Sequence, residues 1–144
     1  MTDSHTATKT DSVVQYDAVI ANQPTNCYQA RVIRGINGKI MVGFITKDKF
    51  KSKPTNFSDG YYISLEDGFI YSPGNGKLQS RVEMTNVVDI YFEQINNTIR
   101  CSIRYENGKR SGDIDVFQSI PPNLYPVVCI ATPGASVAII QFTV

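Results

Sequence analysis

The chain has 144 residues, of which 42% are hydrophobic and 19% charged, with 14 Lys and Arg against 13 Asp and Glu. A chain of this size is a single domain that buries roughly 70% of its unfolded surface without help from disulfides or metal, and its composition is globular rather than disordered. A net charge of +1 argues against coating a nucleic-acid duplex, which draws on a surplus of Lys and Arg.

Residues 1–12 are polar apart from Met1 and Ala7 and read as a disordered, solvated tail, with the folded domain spanning 13–144. From there on, short apolar or alternating runs are separated by turn residues, and no window shows a helical stripe. The first strand falls within 14–20. Residues 28–32 alternate, with Tyr28, Ala30 and Val32 inward and Gln29 and Arg31 outward. Ile40–Ile45 is apolar on both faces, as in a strand covered twice. The segment 47–59 is the longest without a strand pattern.

Strands follow at 61–65 and at Phe69–Ser72. In 86–93, Val88, Ile90 and Phe92 point inward and Asp89, Tyr91 and Glu93 outward. In Thr98–Tyr105 the inward set is Ile99, Cys101, Ile103 and Tyr105. The series closes with Ile114–Phe117, 125–131 and 137–142. Asn37-Gly38, Asp67-Gly68, Asn96-Asn97 and Asn107-Gly108 supply the positive φ that tight hairpins require. About ten short antiparallel strands with this punctuation make an all-β, two-sheet sandwich with little or no helix.

Little here could do covalent chemistry. His5, the sole histidine, falls in the expected tail, and catalytic groups must be held rigidly. Cys27, Cys101 and Cys129 sit on separate predicted strands without ligand spacing and read as small buried apolar groups. Asp113 and Asp115 share one strand face, but two carboxylates do not make a calcium site. Gly74-Asn75-Gly76-Lys77 lacks the frame of a phosphate loop and reads as a hairpin turn. The chain is therefore expected to be a non-enzyme, with no catalytic residue, metal or cofactor.

The loop carrying Lys47, Lys49, Phe50, Lys51 and Lys53 is the candidate for docking a partner. No apolar core with a cleavage site follows Met1, and no apolar run approaches the ~18 residues of a spanning helix. With an odd number of cysteines, this leads to the expectation of a cytoplasmic protein, or a nuclear one, that is neither secreted nor membrane-bound.

The order of motifs resembles a SPRY domain. Tyr28-Gln29-Ala30-Arg31-Val32 resembles the family's early aromatic YWEV strand, and Met41-Val42-Gly43-Phe44-Ile45-Thr46 its VGVAT strand. Gly60-Tyr61-Tyr62-Ile63 and Asp67-Gly68 stand at its next strand and turn. Residues 98–103 followed by Tyr105-Glu106-Asn107-Gly108-Lys109 resemble GTISFxxNGK, Leu124-Tyr125-Pro126-Val127-Val128 resembles LYPAV, and 137–142 the closing VxVNF strand. The tryptophan of the first motif is absent, and Asn86 stands where the family has glycine before its DVIGV strand.

The resemblance implies a bent, jelly-roll-like sandwich that binds a peptide segment or protein surface through loops at one end, as an adaptor or a subunit of a larger assembly. It implies that Ala131, Thr132, Pro133 and Gly134 lie at a peptide-contacting position, that the 47–59 loop shares their rim, and that Tyr61 and Tyr62 supply aromatic anchors. The alternative is a galectin-like or legume-lectin-like carbohydrate-binding protein, against which the absence of Trp counts.

Overall fold

The computed structural model describes residues 2–79 and 83–142; Met1 and Val144, the outer limits of the expected tail and domain, lie outside the described residues. Its strands are β1 (Thr2–Thr8), β2 (Asp17–Ile20), β3 (Cys27–Arg34), β4 (Ile40–Ile45), β5 (Tyr61–Ser64), β6 (Phe69–Ser72), β7 (Gly76–Gln79), β8 (Val87–Ile95), β9 (Thr98–Tyr105), β10 (Ile114–Phe117), β11 (Tyr125–Ile130) and β12 (Ser136–Phe142). They form two six-stranded sheets, ordered β1-β12-β3-β8-β9-β10 and β2-β11-β4-β5-β6-β7. The expected all-β, two-sheet antiparallel sandwich is what the chain forms.

Inward-facing residues of the two sheets make one core. Tyr28 is fully buried, stacks on Phe92 with ring centroids 5.1 Å apart, and meets Phe44 edge-on at 5.1 Å. Its hydroxyl donates to the Gly43 carbonyl at 2.5 Å, tying one sheet to the other. Gly43 is required by close approach: a Cβ there would come within 1.7 Å of the Tyr61 carbonyl oxygen on β5. The alternation expected for β9 holds, with Ile99, Cys101 and Ile103 at most 1% exposed.

Three expectations are corrected. Residues 2–8 are not a solvated tail: they pair antiparallel with β12 in continuous register from Thr2↔Phe142 to Thr8↔Ser136, and His5 stands opposite Ile139. Ladder hydrogen bonds are made by the backbone, so a polar segment can still serve as an edge strand, where polar side chains are an advantage. In β8 a bulge falls between Val87 and Asp89. It turns Val87 inward in place of Val88, and it buries Asp89, whose carboxylate meets Arg104 Nη2 at 2.6 Å. β7 has no apolar face and lay below the sequence signal; the turn that joins it to β6 is the hairpin expected at 74–77.

The sandwich has two unlike ends. One, the first end, carries the β3–β4 turn, the β9–β10 connection and the β11–β12 turn. The second carries the β2–β3 loop, the β8–β9 turn and the β10–β11 loop.

Candidate functional site at a strapped corner

β4 is apolar on both faces because both are covered. Ile40, Val42 and Phe44 enter the main core, whereas Met41 and Ile45 join Ala18, Tyr62, Val127 and Cys129 in a second cluster on the outer face of their sheet. The second cover is the 47–59 loop. It opens with a short 3₁₀ turn at Lys47–Lys49, then packs Phe50 and Phe57 onto the cluster and buries Pro54. The Ser52 carbonyl accepts from the Ala18 amide at 2.8 Å, so the loop lies along the free edge of β2 as a strap.

This course decides which candidate residues meet. β4 and β11 are antiparallel, with Ile45 beside Tyr125 and Ile40 beside Ile130. Lys47 and Lys49 therefore leave from the second end, while Ala131, Thr132, Pro133 and Gly134 form a turn at the first. The strap returns part of the loop to the first end: Lys53 Nζ contacts Asp17 Oδ1 at 2.7 Å, and Asp17 is the β2 residue paired with Ile130. The expected single rim is thus divided, with Lys53 next to the 131–134 turn and Lys47 and Lys49 at the opposite end.

A charged network locks the corner. Lys9 has a side chain only 1% exposed, and its ammonium meets Asp17 Oδ2 at 2.5 Å and Asp11 Oδ1 at 2.9 Å. The Lys9 main chain also holds the turn: its amide donates to Ala135 O at 3.0 Å and its carbonyl accepts from Gly134 at 2.9 Å. Hydrogen bonds from Lys53 and then Lys9 hold the Asp17 carboxyl below its usual range, and Lys9 does the same for Asp11. The Asp17 carboxylate in turn pushes the Lys9 ammonium up. The Thr132 hydroxyl accepts from the Lys39 amide at 2.8 Å, fastening the turn to its neighbour.

Other candidate residues divide in the same way. Lys51, Lys53, Pro133 and Gly134 are exposed, Thr132 is half-buried and Ala131 is buried. Phe50 is half-buried in the outer cluster. Tyr62 is 2% exposed beneath the strap, with its hydroxyl against the Cys129 thiol, which burial pushes up to about 12. Tyr61 faces the other way, half-buried against Phe117 with ring centroids 5.4 Å apart. Tyr62 is therefore not a free anchor, whereas Tyr61 is partly exposed on the side of the sheet away from the strap.

The aromatic surface at the corner comes from residues the sequence analysis did not single out. Phe57 meets Tyr16 at 5.0 Å, Tyr62 at 5.3 Å and Tyr71 at 5.8 Å, and Tyr16, Phe57 and Tyr71 are each half-buried. An isolated Phe in a polar loop was the available signal for Phe57. Asp115, weighed as a calcium ligand, pairs instead with Arg100 Nε at 2.9 Å. Among the described residues no group of three or more His, Cys, Asp or Glu is placed to hold a metal ion.

Solved structures share this architecture. A human SPRY domain superposes with a TM-score of 0.65 at 20% identity, covering 93% of this chain and 89% of that one. The SPRY domain of human HERC1 gives 0.66 at 17% identity, covering 90% and 85%. The chain has the SPRY fold. The exoplasmic/lumenal domain of VIP36, solved in a form bound to Ca2+ and Man3GlcNAc, also superposes, with a TM-score of 0.59 at 14% identity, covering 99% of this chain and 84% of that domain. No family model matches the sequence, and no curated protein matches it. In this SPRY fold, as the resemblance implied, the YWEV-like and VGVAT-like segments are β3 and β4, which pack across the core through Tyr28 and Gly43. Asn86, in place of the usual glycine, has a φ of 62°, a conformation that asparagine tolerates better than most residues.

Proposed function

We propose that the chain is a non-enzymatic interaction module that binds a peptide segment or protein surface at the strapped corner, as an adaptor or a subunit of a larger assembly in the cytoplasm or nucleus. The observation that carries this reading is the strap itself. A loop that would otherwise be free is held by the Ser52–Ala18 hydrogen bond, by Phe57 in the outer cluster, and by Lys53 on Asp17. A surface ordered in advance binds without a large ordering cost. Tyr16, Phe57 and Tyr71 offer partly exposed aromatic area, the type of side chain enriched in interface hot spots. Lys51 and Lys53 border it with positive charge, and the exposed Pro133-Gly134 turn adds a rigid edge. The buried Cys101 and Cys129 thiols, both pushed up to about 12 by desolvation, are poor nucleophiles.

The test is affinity capture from native lysate with wild type beside a Lys51→Glu/Lys53→Glu/Pro133→Asp variant whose folding is verified by circular dichroism. A protein recovered by wild type and lost with the variant is the expected outcome. Equal recovery would move the site away from this corner. Binding on a glycan array that free sugar competes away would replace this reading with carbohydrate recognition.

A further inference from the structure

We propose that the second end of the sandwich carries a separate cleft for an extended, uncharged polypeptide segment, recognised through its main chain. Two cavities of about 380 and 410 Å³ adjoin there and share Asn26, Gln94 and Asn123. Asn96 and Asn97 line the outer one, so five carboxamides border a single trough, and among the described residues no Asp, Glu, Lys, Arg or His lines either part. The cleft lies at the opposite end from the 131–134 turn and the Lys9–Asp17–Lys53 network, and it does not depend on the function proposed for them.

The amides are available to a ligand. Gln94 is braced by Nε2 donating to Thr25 O at 2.9 Å and by its main-chain amide donating to Asn26 O at 2.7 Å. The carboxamides of Asn26, Asn96, Asn97 and Asn123 make no hydrogen bond to another described residue. A carboxamide presents a donor beside an acceptor, the same pair that a peptide group presents, and bonds to it without selecting for charge. A phosphorylated or strongly charged ligand finds no counter-charge among the described lining residues. Pro121 and Pro122 give the trough an apolar wall that loses little side-chain entropy on binding.

Sugar is the less suitable occupant. Among the described residues the lining holds a single aromatic, Phe142, half-buried and tilted against Tyr91 at a centroid distance of 5.9 Å. Backbone conformation accounts for three of the five amides and not for the other two. Asn96, Asn97 and Asn123 have φ of 51°, 65° and 61°, where glycine would serve equally well, and Asn26 and Gln94 are not left-handed. The carboxamides of Asn26 and Gln94 are the ones that no left-handed turn calls for.

That equivalence supplies the test. An Asn97→Gly/Asn123→Gly variant keeps the backbone conformation and removes two amides. A phage-displayed library of short peptides is panned on the full chain, and an enriched peptide is synthesised with both ends capped and titrated into ¹⁵N-labelled protein. The expected result is an uncharged peptide that shifts the side-chain NH₂ signals of Asn26, Asn97 and Asn123 and binds equally well at low and high salt. The double variant should bind it about ten-fold more weakly, having lost hydrogen bonds to the ligand, with its unfolding midpoint unchanged. Equal affinity for both proteins would overturn the proposal. So would shifts confined to the strapped corner, or movement of the same NH₂ signals by mannotriose and by no peptide.

Discussion

The two ends of this sandwich are built from the same kinds of turn and hairpin yet hold themselves together differently. At the first end, four charged side chains, Lys9, Asp11, Asp17 and Lys53, cross-link the β1–β2 connection to the strap, while the Lys9 main chain anchors the β11–β12 turn. At the second, neutral amides and prolines surround an open trough, and bracing comes from main-chain carbonyls such as Thr25 O and Asn26 O. Ion pairs draw segments together but spend their own polar groups on internal partners. Main-chain bracing leaves side-chain amides unspent. The first end is therefore suited to displaying an ordered surface, and the second to offering hydrogen bonds.

Because both ends hang on one core, the largest expected effect should not distinguish them. Phe92→Ala removes a fully buried ring in contact with Tyr28 and Phe44 and should cost about 3–5 kcal/mol in chemical denaturation. Hydrogen exchange that quickened at one end alone would show that the ends fold as separate units.

Phe57→Ala acts on the strap only. The ring is half-buried, so the expected loss is about 1–2 kcal/mol. Partner capture at the corner should fall with it, while peptide binding in the amide trough stays intact. A loss above that of Phe92→Ala would make the outer cluster, and not the inter-sheet core, the main source of stability.

Acid separates the ends without mutation. Asp11 and Asp17 have folded-state pKa values below those of an unfolded chain. Their contribution is complete above the unfolded value of about 4 and is lost as pH falls through the depressed folded values. As pH falls below about 4, the Gly134 amide, which donates to Lys9 O, should lose exchange protection as the two carboxylates take up protons. Amides bordering the uncharged trough should keep theirs. Equal loss at both ends would mean that the charged network does not hold the corner.

The smallest effect is expected for Asn97→Gly alone. Its positive φ suits glycine and its carboxamide has no partner within the described chain, so stability should change by no more than about 0.5 kcal/mol. A larger loss would assign Asn97 a structural role and weaken the case for an available amide.

The inter-sheet core was the most legible part of the chain, because one-sided burial writes a period of two into β3 and β9. β1 and β7 were not legible, since edge strands joined by main-chain hydrogen bonds need no apolar alternation. The bulge at Val87–Asp89 displaced the inward assignment from Val88 to Val87, a one-residue change that periodicity does not mark. The candidate site was legible in part. The expected common rim of the loop and the 131–134 turn was divided, and Tyr16, Phe57 and Tyr71 are the half-buried aromatics that meet beside the strap.

What the sequence determined by itself was the set of strands with one buried face, the turns where Asn and Gly accept positive φ, and the two-sided burial of β4. These are local properties, expressed by side chains a few residues apart. Only the tertiary structure decided what covers the outer face of β4, which loops share a corner, and where five amides converge. Those outcomes rest on contacts between distant segments, such as Ser52 O with the Ala18 amide and Lys9 with Asp17 and Gly134. Main-chain hydrogen bonds and long-range charge pairs leave no periodic trace in the sequence.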